Sequence, residues 1–213
     1  MDKLSSIKNI IFDFGGVLID LDKERCVRNF KAIGINAENQ LGTTHSKGIF
    51  VDLERGAITP QQFREKLREM SSQTITDEQI DDAWRSFLLT VPQYKLDLLL
   101  KLRKKYRIYL LSNTNAIHFE YARKQNFEKD GHSLRDYFDH CFLSYEIGLV
   151  KPDDDIFEYV INEAQIFARE TLFIDDSEAN IETARRWCFS IYQAEEREDF
   201  SHLFNLEHNS AHG

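Results

Sequence analysis

The run Ile10-Ile11-Phe12-Asp13-Phe14-Gly15-Gly16-Val17-Leu18 constrains this chain more than any other stretch. It begins as an apolar segment of strand length, the pattern of a parallel strand buried on both faces. It delivers one carboxylate, Asp13, to a point where two glycines let the backbone turn. The C-terminal edge of such a strand is where open α/β sheets bind ligands. A carboxylate held there can act as a nucleophile or as an oxygen ligand for a hard cation. Two residues on, where a second carboxylate could share the work, stands Gly15.

Four short apolar segments read as strands, at 7–12, 107–111, 141–143 and 171–174, with a fifth at 189–192. Helical patterns fall between the later ones. Residues 93–105 carry Leu96, Leu99, Leu100 and Leu102 on a helix-spaced stripe and end in Lys and Arg, which suit a helix C-terminus. Residues 115–127, 153–167 and 178–187 also read as helices. Strands alternating with helices predict βαβ units and a parallel sheet. The stretch 20–90 breaks that alternation, with helical patterns at 22–33, 60–70 and 77–89 and no strand. Thr76 precedes Asp77 and Glu78 as an N-cap before an acidic first turn, and 54–60 reads as the main interhelical loop. The block is expected to be an inserted helical subdomain, and the polar tail from His202 to Gly213 to fray.

The 213 residues suffice for one large domain or two unequal ones. A net charge of -9 argues against nucleic acid and anionic membrane surfaces, since a phosphate backbone calls for a basic face. Cys26, Cys141 and Cys188 form no CxxC pair and read as small apolar fillers in a reducing cytosol. The segment after Met1 is too short and too interrupted for a signal peptide or a membrane span, so the expected location is cytoplasmic.

Polar groups recur at the strand ends: Asp13, then Ser112-Asn113-Thr114, then Lys151-Pro152 after the turn that follows the strand at 141–143, then Asp175-Asp176-Ser177. Each alone has a bland reading as a turn, an N-cap or a helix start. Two adjacent carboxylates repel unless a cation compensates them, and parallel strands bring all four groups to one edge. Asp13 and Asp176 supply hard oxygens suited to Mg²⁺, Ser112 and the backbone N–H groups after it suit phosphate oxygens, and Lys151 offers a compensating charge. Asp13 could then attack phosphorus in line and form an aspartyl-phosphate.

These four ordered motifs resemble those of the haloacid dehalogenase superfamily. Asp13-Phe14-Gly15-Gly16-Val17 resembles its first motif, Ser112-Asn113 its second, Lys151-Pro152 its third, and Asp175-Asp176 with Asn180 its fourth. The stretches 111–115 and 143–152 look closest to bacterial sugar-phosphate phosphatases of the glucose-1-phosphatase type. The resemblance implies an α/β fold, a Rossmann-like doubly wound core of residues 1–19 and 91–213, with a helical cap at 20–90. It implies Asp13 as nucleophile and magnesium ligand, Gly15 as a carbonyl ligand, Asp176 as a direct ligand and Asp175 as a second or water-mediated one. Ser112, Asn113 and Lys151 would contact phosphate and nucleophile, and Asn180 would orient the metal's surroundings. The implied substrate is a small phosphorylated metabolite.

Gly15 departs from that pattern, because phosphatases of the family usually place there the acid that protonates the leaving group. General acid–base help is typically worth ~10²–10⁴-fold. Water, a substrate hydroxyl or a cap residue such as Glu54 or Arg55 could stand in, and an anomeric leaving group would suffer least. A metal-independent 2-haloacid dehalogenase, or a binding protein on the same fold, are the rival readings; the Asp175-Asp176 pair favours the phosphatase. The seven histidines lack ligand spacing and read as surface or loop residues, Trp84 and Trp187 as packing anchors, and 101–105 as a solvated basic helix end.

Overall fold

Five short strands form one sheet: β1 (Asn9–Phe12), β2 (Arg107–Ser112), β3 (His140–Leu143), β4 (Thr171–Asp175) and β5 (Ser190–Gln193). Their order is β3-β2-β1-β4-β5, and every pairing is parallel. The structure, a computed structural model, describes residues 4–38, 40–41 and 47–204. Met1, His45 and the tail beyond 204, with His208 and His212, lie outside the described residues.

Alternate residues of the strands point to opposite faces, so each apolar run feeds two cores. Ile10, Phe12, Ile108, Leu110 and Ile174 join one buried cluster, while Ile11, Tyr109, Leu111 and Phe173 join another. The second is covered by α9 (Asp154–Ala164) and α10 (Glu178–Arg186) through Ile156, Phe157, Val160 and Ile181. The first is covered by α5 (Gln93–Leu102), through Leu99 and Leu102, and by α6 (Ala116–Ala122). Helices on both faces of a parallel sheet make this the Rossmann-like, doubly wound α/β fold.

Four helices lie between β1 and α5: α1 (Lys23–Ala32), α2 (Ile49–Glu54), α3 (Pro60–Met70) and α4 (Asp77–Arg85). Thr76 caps α4 as its sequence predicts, in a reciprocal box with Gln79, and Thr59 forms the same box with Gln62 at α3. Trp84 anchors this block, 5.0 Å ring to ring from Phe50, with Phe30 and Phe63 around it. Its apolar residues belong to the same continuous cluster as one face of the sheet.

Several boundaries differ from the sequence expectation. The first strand begins at Asn9 because Ile7 closes a turn on the Leu4 carbonyl. The helix expected over 77–89 stops at Arg85, and Leu88 instead bridges antiparallel to Leu21. The helix expected over 115–127 is α-helical to Ala122 and continues as a π-helical turn, Arg123–Phe127. The helix expected to reach 167 ends at Ala164, where Gln165 adopts a left-handed conformation. Three short helices had no periodic signal: α2, α7 (Leu134–Tyr137) and α8 (Ser144–Ile147). Cys26 is a buried filler, but Cys188 is exposed at the end of α10. Among the described histidines His118 departs from the expectation, at 6% exposure inside α6. Among the described residues no helix is long and apolar enough to cross a membrane.

Candidate active site

The strand order reverses between β1 and β4, which opens a crevice at their C-terminal ends. Phe12 pairs with both Leu110 and Ile174, and beyond that register β4 runs one residue further, to Asp175, and β2 two, to Ser112. Asp13 follows immediately, its N–H donating to the Ile174 carbonyl at 2.8 Å. Asp175 is the last residue of β4, and Asp176 begins the turn into α10. Lys151 arrives from the far side, in the turn between α8 and α9.

Lys151 Nζ donates to Asp13 Oδ1 at 2.7 Å and to Asp175 Oδ2 at 2.6 Å, with its side chain only 1% exposed. Burial works against its charge, but the two carboxylates outweigh that and hold its pKa above the usual lysine value. The other oxygen of Asp175 accepts from the Ser177 N–H and from Asn180 Nδ2, both at 2.9 Å. Asp175 is therefore fully engaged and fully buried. Burial pushes the Asp13 carboxyl up to about 7, with Asp175 and Asp176 adding to the rise and Lys151 opposing it. Burial and the neighbouring Asp175 raise Asp176 to about 6.

Three carboxylates face one ammonium, a local excess of two negative charges when all are ionised. Oxygens of Asp13, Asp175 and Asp176 lie within 4.8 Å of one another. Asn180 Oδ1 is buried without a hydrogen-bond partner. Gly16 has φ +78, and a Cβ there would overlap the Asp176 carboxylate, so this glycine admits that side chain to the cluster. The donor set is hard, acidic and short of positive charge, and it fits Mg²⁺. Asp13 and Asp176 face the adjoining cavity, as does Gly15, whereas Asp175 stands behind them.

The phosphate-side residues divide differently from the expectation. Asn113 lines the cavity, yet its amide is committed: Nδ2 donates to the Lys151 carbonyl and Oδ1 accepts from the Lys151 N–H, both at 2.8 Å. It fixes the backbone that carries Lys151. Ser112 is 2% exposed and lies beneath the cavity wall rather than on it. The Thr114 N–H donates to Ser144 Oγ at 2.9 Å, and that hydroxyl in turn donates to the Glu54 carbonyl at 2.6 Å.

The sequence reading assigns no place in the site to Ser144, Trp84 or His118. Ser144 immediately follows β3, so the strand-end logic applied to the other motifs would have found it. Trp84 lines the cavity as well as anchoring the helical block. His118 lies under it, ring centroids 4.0 Å apart, with Nε2 2.9 Å from the Trp84 carbonyl. A carbonyl only accepts, so Nε2 carries the proton of a neutral imidazole. Burial pushes this histidine down to about 4. Of the two residues named as possible acids, Glu54 lines the cavity, while Arg55 pairs with Asp153 at 3.4 Å.

Comparison with known proteins agrees with this geometry. Residues 7–186 match the haloacid dehalogenase-like hydrolase family. A D-ribitol-5-phosphate phosphatase of Bacteroides thetaiotaomicron is 38% identical over 205 residues, covering 96% of this chain and all of that protein. A haloacid dehalogenase family enzyme of the same organism, crystallised with magnesium and inorganic phosphate, is 50% identical with a TM-score of 0.89. It covers 93% of this chain and 99% of its own. A related hydrolase from Porphyromonas gingivalis is 39% identical with a TM-score of 0.84, covering 92% of this chain and 94% of its own. With matching strand order, four ordered motifs and relatives spanning nearly its whole length, the chain belongs to the haloacid dehalogenase-like hydrolases.

Proposed function

We propose that this chain is a Mg²⁺-dependent phosphatase that hydrolyses a sugar or polyol phosphate monoester through an aspartyl-phosphate on Asp13. The observation that carries the reading is Asp13 itself, a cavity-lining carboxylate bound to a buried lysine at 2.7 Å within a three-carboxylate cluster. Mg²⁺, when bound by Asp13, Asp176 and the Gly15 carbonyl, would offset the charge of the phosphoryl group and of the carboxylates. Lys151 screens Asp13 so that it can approach an anionic substrate, and Asp175 with Asn180 holds Lys151 and the metal ligands in place. Asn113 keeps the Lys151 backbone in register.

The named activity of the ribitol-phosphate relative and the magnesium–phosphate complex of the structural relative support the substrate class and the cofactor. Residues 20–90 serve as the cap that selects the substrate, over a core of residues 1–19 and 91–213. With a net charge of -9 and three free cysteines, the protein acts on small metabolites in the cytoplasm rather than on nucleic acid or membranes. A dehalogenase has no use for the acidic pair at 175–176, which weighs against that alternative.

A panel of sugar, polyol and nucleoside monophosphates assayed with Mg²⁺ and with EDTA tests the reading. Turnover that requires the metal and disappears in Asp13→Asn, with the unfolding midpoint little changed, is expected. Turnover retained in Asp13→Asn refutes the nucleophile. Halide release from a 2-haloacid in EDTA refutes the reaction class.

A further inference from the structure

A primary-alcohol leaving group, as in a polyol phosphate, is a poor one and needs a proton donor. The family's usual donor is absent at Gly15. The proton has to come from another wall of the cavity.

Among the described residues, five titratable ones line that cavity: Asp13, Glu54, His118, Lys151 and Asp176. Asp13 is the nucleophile, and Asp176 belongs to the acidic cluster beside it. Lys151 is held between Asp13 and Asp175 and keeps its proton. His118 spends its one N–H on the Trp84 carbonyl and is a neutral imidazole with no acidic proton to give. Glu54 is the remaining acid, and it comes from α2 of the helical block rather than from a strand end.

Its backbone is held with care. Glu54 is the last residue of α2, and its carbonyl accepts from Ser144 Oγ at 2.6 Å. Ser144 also receives the Thr114 N–H, which ties Glu54 to the loop that follows β2. Two residues on, Gly56 has φ +67, and a Cβ there would collide with the Tyr145 carbonyl, so the α2–α3 loop lies directly on the start of α8. Arg55 points away to Asp153. A helix end fixed at two points in this way holds the Glu54 backbone in place at the cavity wall.

We infer that Glu54 is the general acid and base of this phosphatase, replacing from the helical block the carboxyl that Gly15 lacks. The inference rests on the phosphatase reading above. Asp13 attacks phosphorus, the bond from phosphorus to the ester oxygen breaks, and that oxygen takes the Glu54 proton and leaves as the alcohol. Glu54, now a carboxylate, takes a proton from water as the water oxygen attacks the aspartyl-phosphate. The phosphorus–Asp13 bond breaks, inorganic phosphate departs, and both carboxyl groups return to their starting states.

Glu54→Gln, Glu54→Asp and wild type, all with Mg²⁺, are compared on D-ribitol 5-phosphate and on 4-nitrophenyl phosphate, whose leaving group needs no acid. Glu54→Gln should lose ~10²–10⁴-fold in kcat on the polyol ester. On the aryl ester it should show a rapid burst of one nitrophenolate per enzyme, followed by slow turnover, because aspartyl-phosphate forms but is not hydrolysed. Glu54→Asp should recover part of the polyol activity. Equal losses on both esters without a burst, or a polyol rate within threefold of wild type, overturn the assignment. Wild type inert towards both esters would instead overturn the phosphatase reading itself. Matching unfolding midpoints keep a folding defect from passing as a catalytic one.

Discussion

Replacing Gly16 by Ala tests whether the acidic cluster is built around a missing side chain. Gly16 sits at φ +78, where an L-residue is strained by roughly 1–2 kcal/mol. The new Cβ would also lie 2.9 Å from Asp176 Cγ and closer still to its Oδ2. Crowding of that kind costs ~1–3 kcal/mol unless the neighbour moves. Alanine's lower freedom in the unfolded chain returns ~0.4–1 kcal/mol. The net expectation is a loss of about 2 kcal/mol, read by urea unfolding in EDTA. Relief is available only by turning Asp176 out of the cluster, so Mg²⁺ affinity, read by calorimetric titration, should fall ~10–100-fold. Gly15→Ala is the internal comparison. It meets only the flexible end of Leu21 at 3.3 Å, in a region of ordinary φ, and should cost less than ~1 kcal/mol. Equal stability losses in the two variants, or unchanged Mg²⁺ binding in Gly16→Ala, would refute the argument that Asp176 occupies the space this glycine leaves.

Two further outcomes follow from the side chains behind the site. Asn113→Ala removes both bonds to the Lys151 backbone and leaves a buried N–H and carbonyl without partners, so urea unfolding should register a loss of ~1–3 kcal/mol. Phosphatase turnover should fall with it, as Lys151 loses its register. His118 is neutral in the folded protein, with burial holding it at about 4 against an ordinary 6.5, and with Arg85 and Asp81 as its charged neighbours. The unfolded chain therefore binds the extra proton first, and stability is full above pH 6.5 and drains away as the pH falls towards 4. His118→Gln should flatten that dependence by on the order of 3 kcal/mol, seen as the difference between the two stability–pH curves. Parallel curves would contradict a buried neutral imidazole.

The sheet was legible because parallel strands buried on both faces are written as unbroken apolar runs. Each ends in a polar residue that the sheet then brings to one edge. Asp13, Asp175 and Asp176 could be read as a group on that rule, with Lys151 joining them from the turn beyond β3. What stayed hidden was held by tertiary contact rather than by periodicity. Helix α2 has six residues and no isolated stability, and it exists because Phe50 and Leu53 are buried and Ser144 holds its last carbonyl. His118 reads as a surface or loop residue like the other histidines, since nothing local announces that Trp84 will cover it. The tie of the Asn113 amide to the Lys151 backbone has no local signal either, because that partner is 38 residues away.

The shared register of β1 with β2 and β4 has a consequence for which changes in length the protein can absorb. β1 spans only four residues, and its pairing to both neighbours leaves no slack. Deleting one residue within it would draw Asp13 back by ~3.3 Å into the place of Phe12 and turn it into the apolar core. Phe14 would then stand where the carboxylate belongs. Between α3 and α4, by contrast, residues 71–76 join two helices and set no strand register, so an added residue there leaves the strand ends in place. In this molecule the spacing from the paired residues of β1 to Asp13 has less room to change than the identity of the apolar residues that fill it.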